Sequence, residues 1–170
     1  DVAAILTEPV MTNSCMVLPK AGFHDGLRQL SLKYGALLIM DETHTISSGL
    51  GGYTGVHSLR PDIFVVGKCV AGGMPTAVWG LSPTTADRYN EADAKRAPGR
   101  TGTGTTLSAN PMQFACLVAN LSQVMTAKNY AHMERLADRL SHGLARVINR
   151  HKAPWHVVRV GARVEFICAP

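Results

Sequence analysis

Apolar residues fall in short blocks along this chain, some contiguous and some spaced by three or four. Residues 2–6 are a continuous apolar run that ends in Thr7, Glu8 and Pro9, which predicts a buried strand stopped by proline. Residues 23–34 set Leu27, Leu30 and Tyr34 at helical spacing, with Gly35 as the stop. Residues 36–40 predict a second buried strand ending at Asp41. Pro61 and Asp62 lead into a third, residues 63–66, which ends at Gly67 and Lys68, and residues 76–81 predict a fourth. Residues 90–109 are polar and rich in Gly and Thr, the composition of a loop. Pro111 opens a helix running to about residue 125. Residues 130–150 repeat Met133, Leu136, Leu140, Leu144 and Val147 every three or four, a longer helix. Residues 155–160 and 163–169 read as two strands around Gly161. Strand, helix, strand at these spacings predicts an α/β domain with at least some parallel pairing. The change of character divides residues 1–126, part of a larger domain, from residues 127–170, a linking helix and the start of a smaller one.

Composition agrees with a packed core: 46% of the 170 residues are hydrophobic and 17% charged. No apolar run approaches the ~20 residues of a membrane span, and no signal peptide is visible. The net charge is +5, which could mean nucleic acid, but the basic residues are scattered and do not form a cluster, and a modest positive excess suits an anionic small molecule equally well. Cys15, Cys69, Cys116 and Cys168 lie far apart without a CxxC pair, as expected of reduced thiols in the cytoplasm. No His/Asp/Glu group has ligand spacing, so no metal is expected. The first residue is Asp1 rather than Met, and the chain is expected to begin inside a larger protein.

Two strand ends carry chemistry. One delivers Asp41, Glu42, Thr43 and His44; the other delivers Gly67 and Lys68, then the run Ala71, Gly72, Gly73, Met74, Pro75. In open α/β sheets, ligands sit beyond the carboxyl ends of strands. A lysine that forms an imine must react as the neutral amine, a form that burial favours. Pyridoxal 5'-phosphate needs such a lysine and an acid at its pyridine nitrogen, because the protonated ring is the better electron sink. The reading therefore requires a buried amine and an acid converging on one heterocycle. The hydroxyl-rich loop 101–108 offers donors for a phosphate.

These residues resemble the class III aminotransferases of PLP fold type I, most nearly the glutamate semialdehyde aminomutase branch. TEPVMTN at residues 7–13 resembles EPV-x-GN, and LLIMDETHT resembles LLIFDEVMT or DEVQT. GGYTGVHSLRPDIFVVGKCVAGGMPTAVWG resembles the family's glycines, PDI, GK and GGGMP, and TTLSANP at residues 105–111 resembles GTLSGNP. The resemblance runs in order through most of the chain. It implies a mostly parallel sheet of a PLP-binding large domain, with the start of a smaller C-terminal α/β domain. Lys68 stands at the Schiff-base lysine, which also shuttles the proton, and Asp41 at the aspartate facing the ring nitrogen. Thr43 takes the place of a valine packed on the ring, and His44 that of a residue beside the phenolic oxygen. Thr106 matches the threonine that contacts phosphate from the neighbouring subunit of a homodimer. Glu8 matches an active-site glutamate that faces substrate, and Asn13 falls on a family asparagine of unassigned role.

The implied reaction moves an amino group between an amine or amino acid and a carbonyl compound, or within one molecule as in an aminomutase. Thr43 for valine, and Thr105 and Ala109 for glycines, depart from the family pattern. Family members are roughly twice this length or more, and their upstream phosphate cradle and ring-stacking aromatic have no counterpart here. The isolated chain is therefore expected to bind the cofactor weakly. Two other readings stand beside this one. DETH fits the acid box of a DExH helicase, although Asp62 and Cys69 spoil the phosphate loop such an enzyme needs. A non-catalytic α/β module dimerising through the helix at 130–150 would carry the same leucine stripe.

Overall fold

The structure is a computed structural model that describes residues 2–13, 15–99 and 102–170. Its main sheet runs in the order β1 (Ala4–Thr7), β2 (Leu37–Asp41), β3 (Ile63–Val66), β4 (Val78–Leu81). The pairs β1/β2 and β2/β3 are parallel, and β3/β4 is antiparallel. The fold is α/β with a mostly parallel sheet, as the sequence predicts. β2 lies inside the sheet, with Leu38 and Met40 2% and 1% exposed. β1 departs from the expected buried strand. It is an edge strand, and Leu6 is 67% exposed.

Helix α1 (Phe23–Tyr34) crosses between β1 and β2 and ends at Gly35, whose φ of 67° closes the last turn on the carbonyls of Ser31 and Leu32. Its limits match the sequence reading, but its buried side does not follow the apolar stripe. Ser31 is fully buried, whereas Leu30 and Tyr34 point outward. The helix is positioned by Arg28, whose guanidinium donates to both Asp62 oxygens at 2.6 and 3.2 Å. Asp62 also accepts from Leu38 N at 2.8 Å, so the acid before β3 ties α1 to the start of β2. Burial alone would raise the Asp62 pKa, but the Arg28 hydrogen bond, the Leu38 N–H and the guanidinium charge outweigh it and hold it below its ordinary value.

Short helix α2 (Gly52–Val56) follows β2, and α3 (Pro83–Ala94) follows β4. The predicted loop at 90–109 is thus too long at its start. Ser82 caps α3 by accepting from Thr85 N, Pro83 opens it, and residues 90–94 form its exposed last turn. Helix α4 (Pro111–Ala119) starts at a reciprocal capping box between Asn110 and Gln113. The expected helix to residue 125 ends instead in a wider π turn, Asn120–Val124, closed by Met125 N on Asn120 O.

Helix α5 (Ala127–His151) begins three residues earlier than predicted because Thr126 caps it through Asn129 N. Tyr130, Ala137 and Ile148 are its buried positions, while Leu136, Leu140 and Val147 are about half exposed. It packs on the antiparallel hairpin of β5 (His156–Val160) and β6 (Arg163–Ile167), a separate two-stranded sheet. At the hairpin tip, Gly161 has φ 55°, and a Cβ there would lie 2.3 Å from Ser48 O. Between the sheet and α4, Ile46, Val66, Val70, Ala71 and Leu117 form an apolar cluster directly under the carboxyl end of β3.

Candidate functional site

Because β2 and β3 are parallel neighbours, with Asp41 in register with Val65, Asp41 and Lys68 leave the sheet at the same end. Glu42 N donates to Val65 O at 2.8 Å, so the pairing continues one residue past β2. Asp41 Oδ1 accepts from Thr43 N at 2.9 Å, and its other oxygen has no hydrogen-bond partner among the described residues.

Lys68 begins a 3-10 turn, Lys68–Ala71, with φ 49°. An L-residue there costs about 1–2 kcal/mol, and such strain persists where surrounding contacts enforce it. Asn120 supplies them: its Nδ2 donates to Cys69 O and Val70 O, each at 2.9 Å. The expectation of a buried amine is corrected here. Lys68 is exposed in this structure. Its Nζ instead meets His44 Nε2 at 2.5 Å.

The segment after β2 is anchored by Glu42, which is fully buried. Its carboxylate accepts from Thr45 Oγ1 at 2.6 Å, Tyr53 N at 3.0 Å and Thr54 N at 2.5 Å. Gly52, at φ 70°, is required at this approach, since a Cβ there would lie 2.6 Å from Glu42 Oε2. Burial, and then the Glu42 charge, raise the Tyr53 pKa. Tyr130 from α5 donates to Ile46 O at 2.9 Å, and its pKa is raised by burial first, then by Cys69 and Glu42. Glu42 is thus a buried structural anchor, unlike the open acid that would hold water for nucleotide hydrolysis in the helicase reading.

His44 follows two residues later. Its Nδ1 lies 2.5 Å from Thr12 Oγ1, and Thr12 Oγ1 lies 2.5 Å from Glu8 Oε2. Glu8, Thr12, His44 and Lys68 therefore form one hydrogen-bonded line from the end of β1 to the end of β3. Arg163 from β6 donates to Thr12 O at 3.3 Å. Thr43 lies near Gly67, where an added Cβ would stand 3.6 Å from Thr43 Oγ1.

The structure thus brings Glu8, Asp41, Thr43, His44 and Lys68 to one end of the sheet. Thr106 is exposed, in a turn where Thr105 N donates to Ser108 Oγ at 3.0 Å. Asn13 is also exposed, and Thr101 lies outside the described residues. The sequence reading missed Thr12, Asn120 and the anchoring role of Glu42. Only Glu42 left a local trace, as a carboxylate between an apolar strand and a Gly-Gly pair. Among the described residues, no group of three or more His, Cys, Asp or Glu could hold a metal ion.

A family model described as aminotransferase class-III matches residues 1–167. A glutamate-1-semialdehyde 2,1-aminomutase from Staphylococcus haemolyticus is 35% identical over 168 residues, 98% of this chain and 38% of that enzyme. The crystal structure of a glutamate-1-semialdehyde-aminomutase from Pseudomonas aeruginosa PAO1 is 48% identical with a TM-score of 0.92, covering 98% of this chain and 38% of that one. A lysine-to-alanine variant from the same organism, in complex with PMP, matches at 47% identity and the same TM-score and coverage. The chain spans about 38% of the length of these relatives.

Proposed function

Because this chain belongs to the class-III aminotransferases, we propose that it acts in pyridoxal 5'-phosphate-dependent transfer of an amino group between an amine or amino acid and a carbonyl compound. The observation that carries the proposal is the emergence of a lysine amine and a half-free carboxylate from the same end of two adjacent parallel strands.

The donor set fits the cofactor. Lys68 would hold its aldehyde carbon covalently, and the unpartnered Asp41 oxygen would accept the ring N–H. When bound, the cofactor supplies an electron sink that stabilises negative charge at the substrate carbon. Asp41 would keep the ring nitrogen protonated, which would deepen that sink. Thr43 would lie against the ring, and Lys68 Nζ would carry the proton to and from the substrate carbon. Glu8, at the same end of the sheet, would orient substrate. The exposed position of Thr106 supports a phosphate contact made across the interface of a homodimer. The unpaired cysteines support a cytoplasmic location. No helix among the described residues is long and apolar enough to cross a membrane.

The names of the relatives favour a second reading, an intramolecular aminomutase of the glutamate semialdehyde type, which would use the same residues. Product analysis separates the two, since a transaminase releases a new carbonyl compound from its donor and a mutase does not.

Borohydride reduction after incubation with pyridoxal 5'-phosphate, followed by peptide mass spectrometry, tests the assignment. A reduced pyridoxyl group is expected on Lys68 and absent in Lys68→Ala. A group on another lysine, or none, refutes it.

A further inference from the structure

We propose that Glu8 and Thr12 are positioning residues that fix the tautomer of His44, so that His44 Nε2 is the proton acceptor for Lys68. The proposal rests on the assignment of Lys68 given above. It follows from counting hydrogens along the line of contacts. A glutamate carboxylate only accepts. Thr12 has a single hydroxyl hydrogen, and it donates that hydrogen to Glu8 Oε2 at 2.5 Å. The Thr12 oxygen can then meet His44 Nδ1 only as an acceptor, so Nδ1 carries a hydrogen. Neutral imidazole carries one such hydrogen, which leaves Nε2 with a bare lone pair facing Lys68 Nζ.

Two features make the line selective. Thr12 is 3% exposed, so water does not compete for its hydroxyl. Glu8 Oε2 lies 3.9 Å from His44 Nδ1, too far for a direct hydrogen bond, so the carboxylate acts through the threonine.

The step assigned to His44 balances. An N–H bond of the Lys68 ammonium breaks, its electron pair stays on Nζ, and the proton forms a new bond to His44 Nε2. The total charge of the pair is unchanged, and the resulting imidazolium faces the Glu8 carboxylate. The amine left on Lys68 is the nucleophilic form that an imine-forming lysine requires. The reverse transfer returns the proton to Nζ.

The test uses the complete protein with 15N-labelled histidine rings, free of cofactor, over a pH series in which the neutral ring is identified by its nitrogen shifts. Long-range proton–nitrogen correlation is expected to show His44 protonated on Nδ1 and bare on Nε2. Thr12→Ser should keep that pattern, and Thr12→Val should lose it. The rate at which Lys68 becomes trappable by borohydride with pyridoxal 5'-phosphate gives a second readout. Thr12→Val should slow it about tenfold, the effect of losing one hydrogen bond, and Thr12→Ser should restore it. A wild-type His44 protonated on Nε2, or an unchanged rate in Thr12→Val, overturns the proposal. Failure of the wild type to label Lys68 instead sinks the cofactor assignment itself, whatever tautomer His44 shows.

Discussion

Replacing Glu42 by alanine strips the buried anchor from the segment that carries Thr43 and His44. The carboxylate is fully buried and serves three donors, of which Tyr53 N and Thr54 N are backbone groups with no freedom to turn elsewhere. Each buried donor left unpaired costs about 1–3 kcal/mol, while the Thr45 hydroxyl can rotate to a new partner. Removing the charge also removes the cost of burying it, so the two orphaned donors set the size of the effect. The expected loss is about 4 kcal/mol, a large share of the roughly 5–15 kcal/mol of a typical domain. Glu42→Gln keeps one acceptor but turns an amide N–H toward a backbone N–H, for a loss of about 2 kcal/mol. Urea unfolding of both variants at constant m-value measures this. A loss below about 1 kcal/mol for Glu42→Ala would show that the carboxylate does not satisfy those amides, and the reasoning would fail.

Two further variants probe the frame around the site. The depressed pKa of Asp62 means that its bond to Arg28 adds stability above the ordinary carboxylate value of 3.8, which is lost as pH falls through the folded value. Arg28→Ala should therefore flatten the fall of the urea midpoint as pH drops below about 4, and an unchanged slope there counts against the pairing. Gly161→Ala adds a carbon 2.3 Å from Ser48 O at a φ of 55°. Overpacking and backbone strain together predict a loss of about 2–4 kcal/mol, read as a lowered melting temperature; an unshifted melt would mean the hairpin tip is not seated there.

What the sequence made legible was local. Pro9, Gly35 and Pro111 punctuate the chain through their own backbone geometry, so strand ends and helix starts could be read from them. The apolar blocks placed Asp41 and Lys68 at strand ends, and the parallel pairing brought those ends together. The buried sides of α1 and α5 were not legible. Ser31 and Tyr130 are buried by partners from elsewhere in the chain, which periodicity does not report. The exposure of Lys68 was missed for the same reason. Its contact with His44 spans 24 positions and that of His44 with Thr12 spans 32, and a hydroxyl in TEPVMTN gives no local sign of either. The π turn at Asn120 also lacks a residue signature, although it fixes the strained backbone that starts at Lys68.

The close approach of Gly161 to Ser48 has a mechanical consequence. With no space for one more carbon between them, the hairpin is seated directly on the backbone at Ser48. Moving outward would part Ala162 N from Ser47 O and Arg163 from Thr12 O together. Those two contacts flank the His44–Thr12 pair, one at Ser47 and one at Thr12, so the hairpin braces the chain on both sides of that hydrogen bond.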